Sequence, residues 1–172
     1  MNSGNYYYSF CVFPYNCLFF ILLNSSHYYC ITCSRLHVES DLFVYCGHGG
    51  GEQLCSSRKL RRLTRCPSTV WLWGCSSGSL KKNGVYPPWG TAINYLLAGS
   101  SQVAGALWDV TDKDLDKLSI STMRNLRGFE EEEVVVDEEG AALSISESII
   151  NGRMECKMKY AVGAACIIYG LP

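Results

Sequence analysis

Short apolar runs alternate with segments of helical periodicity from residue 41 to the end of the chain. The runs are apolar at nearly every position, and glycine or polar residues bound each of them. Continuous apolarity is typical of strands that are buried on both faces, as in parallel sheets. The pattern therefore predicts four strands, at Asp41–Gly47, Thr69–Gly74, Gln102–Val110 and Tyr160–Gly170.

Helical segments are predicted between these strands. "EQLCSSRKLRRL" gives a short helix with a basic side, and "GTAINYLLAG" groups Ile93 with Leu97 before it ends at Gly99. "TDKDLDKLSISTMRNLRG" begins with acids and ends with arginines before Gly128, as the helix dipole favours, and "AALSISESIING" is a weaker helix. This strand–helix alternation predicts an α/β fold with a mostly parallel sheet flanked by helices.

The first 37 residues differ from the remainder of the chain. No charged side chain occurs before Arg35. The apolar run Tyr6–Leu23 is slightly short for the ~20 residues of a membrane span, and Pro14 and Asn16 interrupt it. We expect a buried strand or a wrongly started gene model here rather than a membrane anchor. The domain then covers 38–172, with a solvated acidic insertion near 129–140 that could alternatively bind a partner.

Composition narrows the class of protein. A chain of 172 residues is one domain, or a piece of one, that can bury a core. Its net charge of −1 implies no general attraction to nucleic acid or acidic lipid. Cys46, Cys75 and Cys166 lie in or beside apolar runs, where free cysteine packs as a small hydrophobe. Since no secretory signal is evident, we expect a reducing, intracellular compartment rather than a disulfide framework.

One cluster of metal-ligand residues lies in the N-terminal segment. His27, Cys30, Cys33 and His37 form the pattern H-x2-C-x2-C-x3-H. Zinc sites usually divide their ligands into two pairs around a longer loop. We therefore interpret the cluster as chance and expect no metal and no other cofactor.

Two reactive side chains follow the ends of predicted strands. His48 lies in "YCGHGGGEQ" and Cys75 in "WLWGCSSGSL", each one or two residues beyond its strand. Parallel strands place such residues at one edge of the sheet, where ligands bind. A thiol beside an imidazole is the arrangement that nucleophilic catalysis needs. The backbone N–H groups of Gly49 and Cys75 could then hold a developing oxyanion.

Other interpretations of these two residues remain open from the residues alone. His48 could be a turn residue and Cys75 a packing residue. A phosphate loop fails because no Gly-Lys-Ser/Thr follows the glycines. A zinc site fails because His48 and Cys75 lack two further ligands.

A longer stretch, "GCSSGSLKKNGVYPPWGTAINYLLAGSSQVAGALWDVTDKDLDKL", resembles the protease domain of separase. Together with "YCGHGGGEQ" and the closing "MKYAVGAACIIYGLP", the resemblance covers about Val38–Lys117 and Cys156–Pro172, and "SSGSL" and "YAVGAACIIYG" are similar to the plant members. It implies a caspase-like fold with a six-stranded, mostly parallel sheet. It also implies that His48 is the catalytic histidine and Cys75 the nucleophile.

The same resemblance implies a cysteine endopeptidase that cleaves the kleisin subunit of cohesin after arginine at anaphase. It further implies a securin-type inhibitor and a location in the cytoplasm and nucleus, at chromosomes and spindle. An arginine pocket needs a carboxylate, so we expect Asp116 to line it, followed by Asp112 and Asp109. Alternatively, Asp112 caps the helix and the other aspartates, among them Asp114, interact with its dipole.

The sequence also departs from the family pattern. The usual "FGHGSGEQ" reads "CGHGGGEQ", which we expect to be tolerated. Only forty residues precede Asp41, and they do not resemble the family's upstream strands or its large helical region. We therefore expect a fragment or a mis-started gene model. Such a chain would lack the family's helical region, which we expect to be its partner in the full-length enzyme. It would also lack the two strands that lie beside the histidine strand, unless "CLFFILL" and "YYCITC" replace them. Two alternatives remain: a non-catalytic remnant that only binds partners, and a caspase-like peptidase outside the separase family.

Overall fold

A central sheet flanked by helices organises the chain. The computed structural model describes residues 17–21, 42–53, 55–63, 66, 68–126 and 143–171. In chain order the elements are β1 (Cys17–Ile21), β2 (Leu42–Cys46), α1 (Ser57–Leu60), β3 (Thr69–Trp73), β4 (Lys81–Asn83), β5 (Tyr86–Trp89), α2 (Thr91–Leu97), β6 (Gln102–Ala106), α3 (Asp112–Asn125), α4 (Ile145–Gly152), two 3-10 turns (Arg153–Glu155 and Gly163–Ala165) and β7 (Cys166–Gly170).

The sheet has the strand order β1-β2-β3-β6-β7, in which the first four strands are parallel and β7 runs antiparallel to β6. The predicted mostly parallel α/β fold is confirmed. Five strands of this sheet fall within the described residues, against the six that the family resemblance implies.

Both faces of the sheet are buried, which explains why its strands are continuously apolar. One face, which we call the α2 face, packs Phe43, Tyr45 and Leu72 against helices α1 and α2. The other, the α3 face, packs Val44 and Trp71 against helices α3 and α4. Burying side chains of this size contributes roughly 1.5–3 kcal/mol each. Residues that alternate along one strand thus enter two separate cores.

Two predicted strands are shorter in the structure than in the pattern. The last strand is Cys166–Gly170, and its predicted first half instead forms a turn and the 3-10 segment Gly163–Ala165. This half is held by hydrogen bonds across the chain, from the Trp108 indole N–H to the Ala161 carbonyl and from the Leu107 N–H to the Ala165 carbonyl. Strand β6 ends at residue 106 rather than 110 because the chain then turns toward the end of β3. The prediction of both full lengths was wrong.

The histidine strand is covered on its outer side. Strand β1, from "CLFFILL", pairs parallel with β2 in the register Cys17↔Leu42 to Ile21↔Cys46. This segment therefore substitutes for one of the two strands that we expected to be missing. "YYCITC", the His27–His37 cluster and the acidic insertion 129–140 lie outside the described residues.

The hairpin of β4 and β5 was not predicted from the sequence. Its strands pair antiparallel across a two-residue turn in which Gly84 has φ +61°. The dipeptide Asn83–Gly84 is a common hairpin signal and could have revealed it. Every residue from 81 to 89 is exposed, so the hairpin projects from the domain.

Three smaller observations bear on the class of protein. Within the described parts of the chain, no helix is long and apolar enough to span a membrane. The same parts contain no group of three or more His, Cys, Asp or Glu residues that could hold a metal ion. Five of the described cysteines are free, and Cys55 is disulfide-bonded. These observations do not test the predicted reducing, intracellular compartment, which therefore stays a prediction.

Candidate active site

The register of the sheet places His48 beside Cys75. Cys46, the last residue of β2, pairs with Trp73, the last residue of β3. His48 and Cys75 each follow two residues later, so the two segments leave the sheet at the same position along the strands. The imidazole and the thiol thus share the carboxyl edge of the sheet, as the sequence predicts.

Gly74 lets the two loops come into backbone contact. A Cβ atom built on Gly74 would lie 2.3 Å from the carbonyl oxygens of both Gly47 and Gly49. The loop that carries His48 therefore passes directly over the end of β3. Only glycine fits at this position, which is why one immediately precedes Cys75.

The carbonyl of His48 is fixed by two side chains. The Tyr45 hydroxyl donates to this oxygen at 2.8 Å, and the Gln53 amide donates to it at 3.3 Å and also to the Tyr45 oxygen. Burial raises the pKa of Tyr45 above its ordinary value, so its hydroxyl keeps the proton that it donates. The peptide of His48 is thereby oriented while its side chain stays exposed.

A carboxylate fixes the glycines that follow. Glu52 accepts the Gly50 N–H at 3.0 Å through one oxygen and the Thr91 hydroxyl through the other. Thr91 is the first residue of α2, so this helix is tied to the histidine loop. Tyr45, Glu52 and Gln53 were not predicted as site residues, although the polar "EQ" directly after a glycine run was a signal.

The Cys75 thiol is held on the side opposite these contacts. Its Sγ donates to the Val110 carbonyl at 3.1 Å, and the Val110 N–H lies 3.4 Å from the same sulfur. Ser76 follows with φ +54°, an uncommon value for a residue other than glycine, and strain of this kind clusters at functional sites. The Ser76 hydroxyl donates to Asp109 at 2.6 Å, and its N–H donates to the Trp108 carbonyl.

Ser77 connects the turn after Cys75 to the sheet. Its buried hydroxyl donates to the Leu72 carbonyl at 2.6 Å and accepts the Ala106 N–H at 3.0 Å. Gly78 and Gly105 come so close that a Cβ on either would meet backbone atoms of the other at 2.8–2.9 Å. The loop that bears the thiol is therefore as closely packed as the loop that bears the imidazole.

Two backbone donors are available next to the thiol. Within the described residues, neither the Gly49 N–H nor the Cys75 N–H has a hydrogen-bond acceptor. Gly49 has φ +65°, a conformation that glycine adopts readily. An open cavity of about 350 Å³ begins at both residues. It is lined by Gly49, Gly50, Glu52, Ser57, Cys75, Ser76, Ser77, Ser79, Lys81, Trp89, Gly90 and Thr91.

The three candidate pocket aspartates lie on the α3 side of Cys75. Asp109 is exposed and bonded to Ser76. Partial desolvation, together with the charge of Asp112, raises the pKa of Asp116. Burial, with a smaller contribution from the charge of Asp116, raises the pKa of Cys46 to about 12. Asp116 therefore lies near the end of the histidine strand.

Two details of helix α3 differ from the alternative interpretation of its aspartates. The N-cap is Thr111 rather than Asp112. Asp114 is buried and accepts the Met158 N–H at 2.8 Å, which is the main reason that its pKa is lowered. It anchors the turn before β7 and does not face the candidate site.

Comparison with known proteins identifies the family to which the chain belongs. Residues 34–115 match the family model described as the separin protease domain. The chain is 44% identical over 133 residues to separin of Schizosaccharomyces pombe and 43% identical over 141 residues to separin of Saccharomyces cerevisiae. These matches cover 77% and 82% of the chain but only 7% and 8% of the length of those relatives.

A solved structure shares the fold. The crystal structure of the Saccharomyces cerevisiae separase–securin complex matches with a TM-score of 0.68 and 42% identity, over 79% of this chain and 9% of that chain. The mostly parallel sheet between two helical layers is thus a caspase-like α/β domain. The chain belongs to the separase family. The alternative of a caspase-like peptidase outside that family is wrong.

Proposed function

We propose that this chain is a cysteine endopeptidase of the separase type. The observation that carries the proposal is the β2–β3 register, which brings the Cys75 thiol and the His48 imidazole to adjacent strand ends. Two backbone N–H groups without an acceptor and an open cavity adjoin the thiol. A nucleophile, an acid–base group and an oxyanion site are the parts that acyl transfer requires.

In the proposed reaction, His48 takes the proton of the Cys75 thiol, the sulfur attacks the scissile carbonyl carbon, and the Gly49 and Cys75 N–H groups stabilise the oxyanion. The C–N bond then breaks and His48 gives a proton to the leaving amine. Water hydrolyses the thioester in a second step. The thiol must first leave the Val110 carbonyl, and a loose resting geometry of this kind is common in free enzymes.

The proposed substrates carry arginine before the scissile bond. Asp116 is the first candidate to bind the guanidinium, because its carboxylate is exposed and lies near Cys46, at the end of the histidine strand. Asp112 lies one helical turn away, and Asp109 is already bonded to Ser76. Asp116→Ala should therefore lower kcat/KM after arginine by roughly 10-fold or more, the value of a charge-assisted bond. Lys113→Ala, an exposed change on the same helix, is the control.

The proposed biological substrate and inhibitor rest on membership of the family. We propose that the kleisin subunit of cohesin is cleaved, that a securin-type protein inhibits the site, and that the chain acts in chromosome segregation, in the cytoplasm and nucleus. The matching solved structure is a separase–securin complex, which supports the inhibitor. Since the chain spans under a tenth of its relatives, their further regions are proposed partners.

A peptide assay tests this function. The chain is incubated with a fluorogenic peptide that ends in arginine, and release of the fluorophore is followed. We expect turnover that Cys75→Ala and His48→Ala both abolish without loss of the folded state. Cys46→Ala removes another half-buried thiol near the site and should keep the activity. Turnover that persists in the Cys75 variant would refute the assignment.

The same assay addresses the remaining alternative, a remnant that only binds partners. The engagement of the Cys75 thiol by Val110 instead of His48 is the observation that favours it. A folded chain that binds a securin-type peptide but never cleaves an arginine peptide would establish this alternative.

A further inference from the structure

Cys75 lies between two different surfaces at the edge of the sheet. Helix α3, which carries the candidate arginine-binding residues Asp112 and Asp116, packs on the α3 face through Leu115 and Leu118. The open cavity lies on the α2 face, because its walls come from the first residues of α1 and α2 and from the β4–β5 hairpin, with Ser57, Thr91, Lys81 and Trp89. A substrate that reacts at Cys75 must therefore contact both surfaces.

The geometry of a peptide bond decides which part of the substrate reaches the cavity. The scissile carbonyl carbon carries the arginine residue on one side and the leaving amine on the other. If the oxygen points to the Gly49 and Cys75 N–H groups and the arginine binds on the α3 face, the leaving amine must point to the α2 face. The cavity begins there, at Gly49 and Cys75, and in the proposed reaction His48, next to Gly49 in the chain, gives that amine its proton.

The charged group in this cavity that is available to a ligand is a cation, Lys81. Lys81 lies on its wall with Nζ 5.4 Å from the centre of the Trp89 ring, and forms no ion pair with any described residue. The single carboxylate of the wall, Glu52, already accepts two hydrogen bonds from the protein. Arg58 and Lys59 follow Ser57 on the adjoining surface and are exposed. An incoming carboxylate therefore has a cation available, whereas an incoming cation does not have a free anion.

We infer that the cavity is the subsite for the residues after the scissile bond, and that Lys81 makes it prefer an acidic side chain there. This inference rests on the proposed peptidase function and extends it to the leaving side of the substrate. The hairpin, which packs no core of its own, thereby acquires a role as the wall of a substrate channel.

Matched peptides test the preference. Three peptides share one sequence up to the arginine and differ only in the two residues after it, which are acidic, neutral or basic; cleavage is followed by mass spectrometry. Because exposed charge pairs are worth up to ~1 kcal/mol, we expect the acidic peptide to exceed the basic one by about 5-fold in kcat/KM. Lys81→Glu should reverse the order. Lys82→Glu makes the same charge change on the hairpin, outside the cavity lining, and should leave the order intact.

A binding measurement gives the same comparison without turnover. Labelled peptides that contain only the leaving-side residues are titrated into the Cys75→Ser variant and followed by fluorescence anisotropy. Tighter binding of the acidic peptide, lost in Lys81→Glu, supports the inference. Equal binding of all three peptides, or equal effects of the Lys81 and Lys82 changes, overturns it. Absence of Cys75-dependent cleavage after arginine would instead refute the proposed function. The binding measurement would then test the subsite by itself.

Discussion

Replacing Gly74 by alanine should separate the two halves of the site without touching either reactive side chain. The new methyl group would lie 2.3 Å from the carbonyl oxygens of Gly47 and Gly49, which are backbone atoms that no rotamer change can move away. Its φ lies outside the left-handed range, so the perturbation is steric alone. The histidine loop must therefore move outward as a unit.

The size of the effect follows from these distances. Non-bonded contacts of carbon have their optimum near 3.5–4.0 Å, so the loop must retreat by about 1 Å. A misplacement of about 1 Å between reacting groups costs on the order of 10²-fold in rate. Overpacking of this kind costs about 1–3 kcal/mol of folding free energy. We expect Gly74→Ala to lose far more activity than stability.

The assay compares kcat/KM on an arginine peptide with the midpoint of thermal unfolding measured by circular dichroism. Gly99→Ala is the matched control, because Gly99 has φ +104° and open space around its Cα. That change strains the end of α2 but moves no catalytic group, so stability should fall while kcat/KM per folded molecule stays. A Gly74→Ala protein with kcat/KM within about twofold of the parent would refute the argument from misplacement.

Three further changes probe the supports of the site. Ser77→Ala removes two hydrogen bonds between a buried hydroxyl and the backbone and should lower the free energy of unfolding by about 1–3 kcal/mol, measured with urea; an unchanged midpoint would contradict this. Glu52→Ala releases the backbone N–H that it holds, so kcat should fall more than KM rises and Glu52→Gln should recover part of the loss; equal kcat in all three proteins would exclude a positioning role. The pKa of Asp114 is below its ordinary 3.8 in the fold, so its stabilisation is present above that pH and is lost as the pH falls through the folded pKa. The loss of melting temperature caused by Asp114→Asn should therefore be largest at pH 6 and shrink as the pH falls below 3.8, and a loss that does not change with pH would count against the linkage.

The strands that carry the site were predictable because each is buried on both faces. "DLFVYCG" and "STVWLWGC" are apolar without alternation, and the structure confirms them as Leu42–Cys46 and Thr69–Trp73. The predicted strand at Tyr160–Gly170 was too long because burial, not strand formation, makes its first half apolar. There, Val162 and Ala165 are buried in a turn and a 3-10 segment, which sequence periodicity does not distinguish from a short strand.

The positions of His48 and Cys75 were predictable from where their strands end, whereas the groups that fix them were not. Glu52 and Thr91 are 39 residues apart, and no local pattern predicts that their side chains meet. The contact between Cys75 and Val110 spans 35 residues and depends on how the chain turns after β6. The roles of the candidate site residues stay predictions until activity is measured.

Burial of the other thiols has a practical consequence for experiments on Cys75. Burial raises the pKa of Cys46 and of Cys166 to about 12, and it also raises the pKa of Cys66 and Cys156. Since alkylating reagents react with the thiolate, these four should stay unmodified at neutral pH while Cys75 faces the open cavity. Among the described free cysteines, a single iodoacetamide adduct would therefore mark Cys75 in the unmutated protein. An adduct located at Cys75 by peptide mapping would count intact sites in a preparation before any substrate is known.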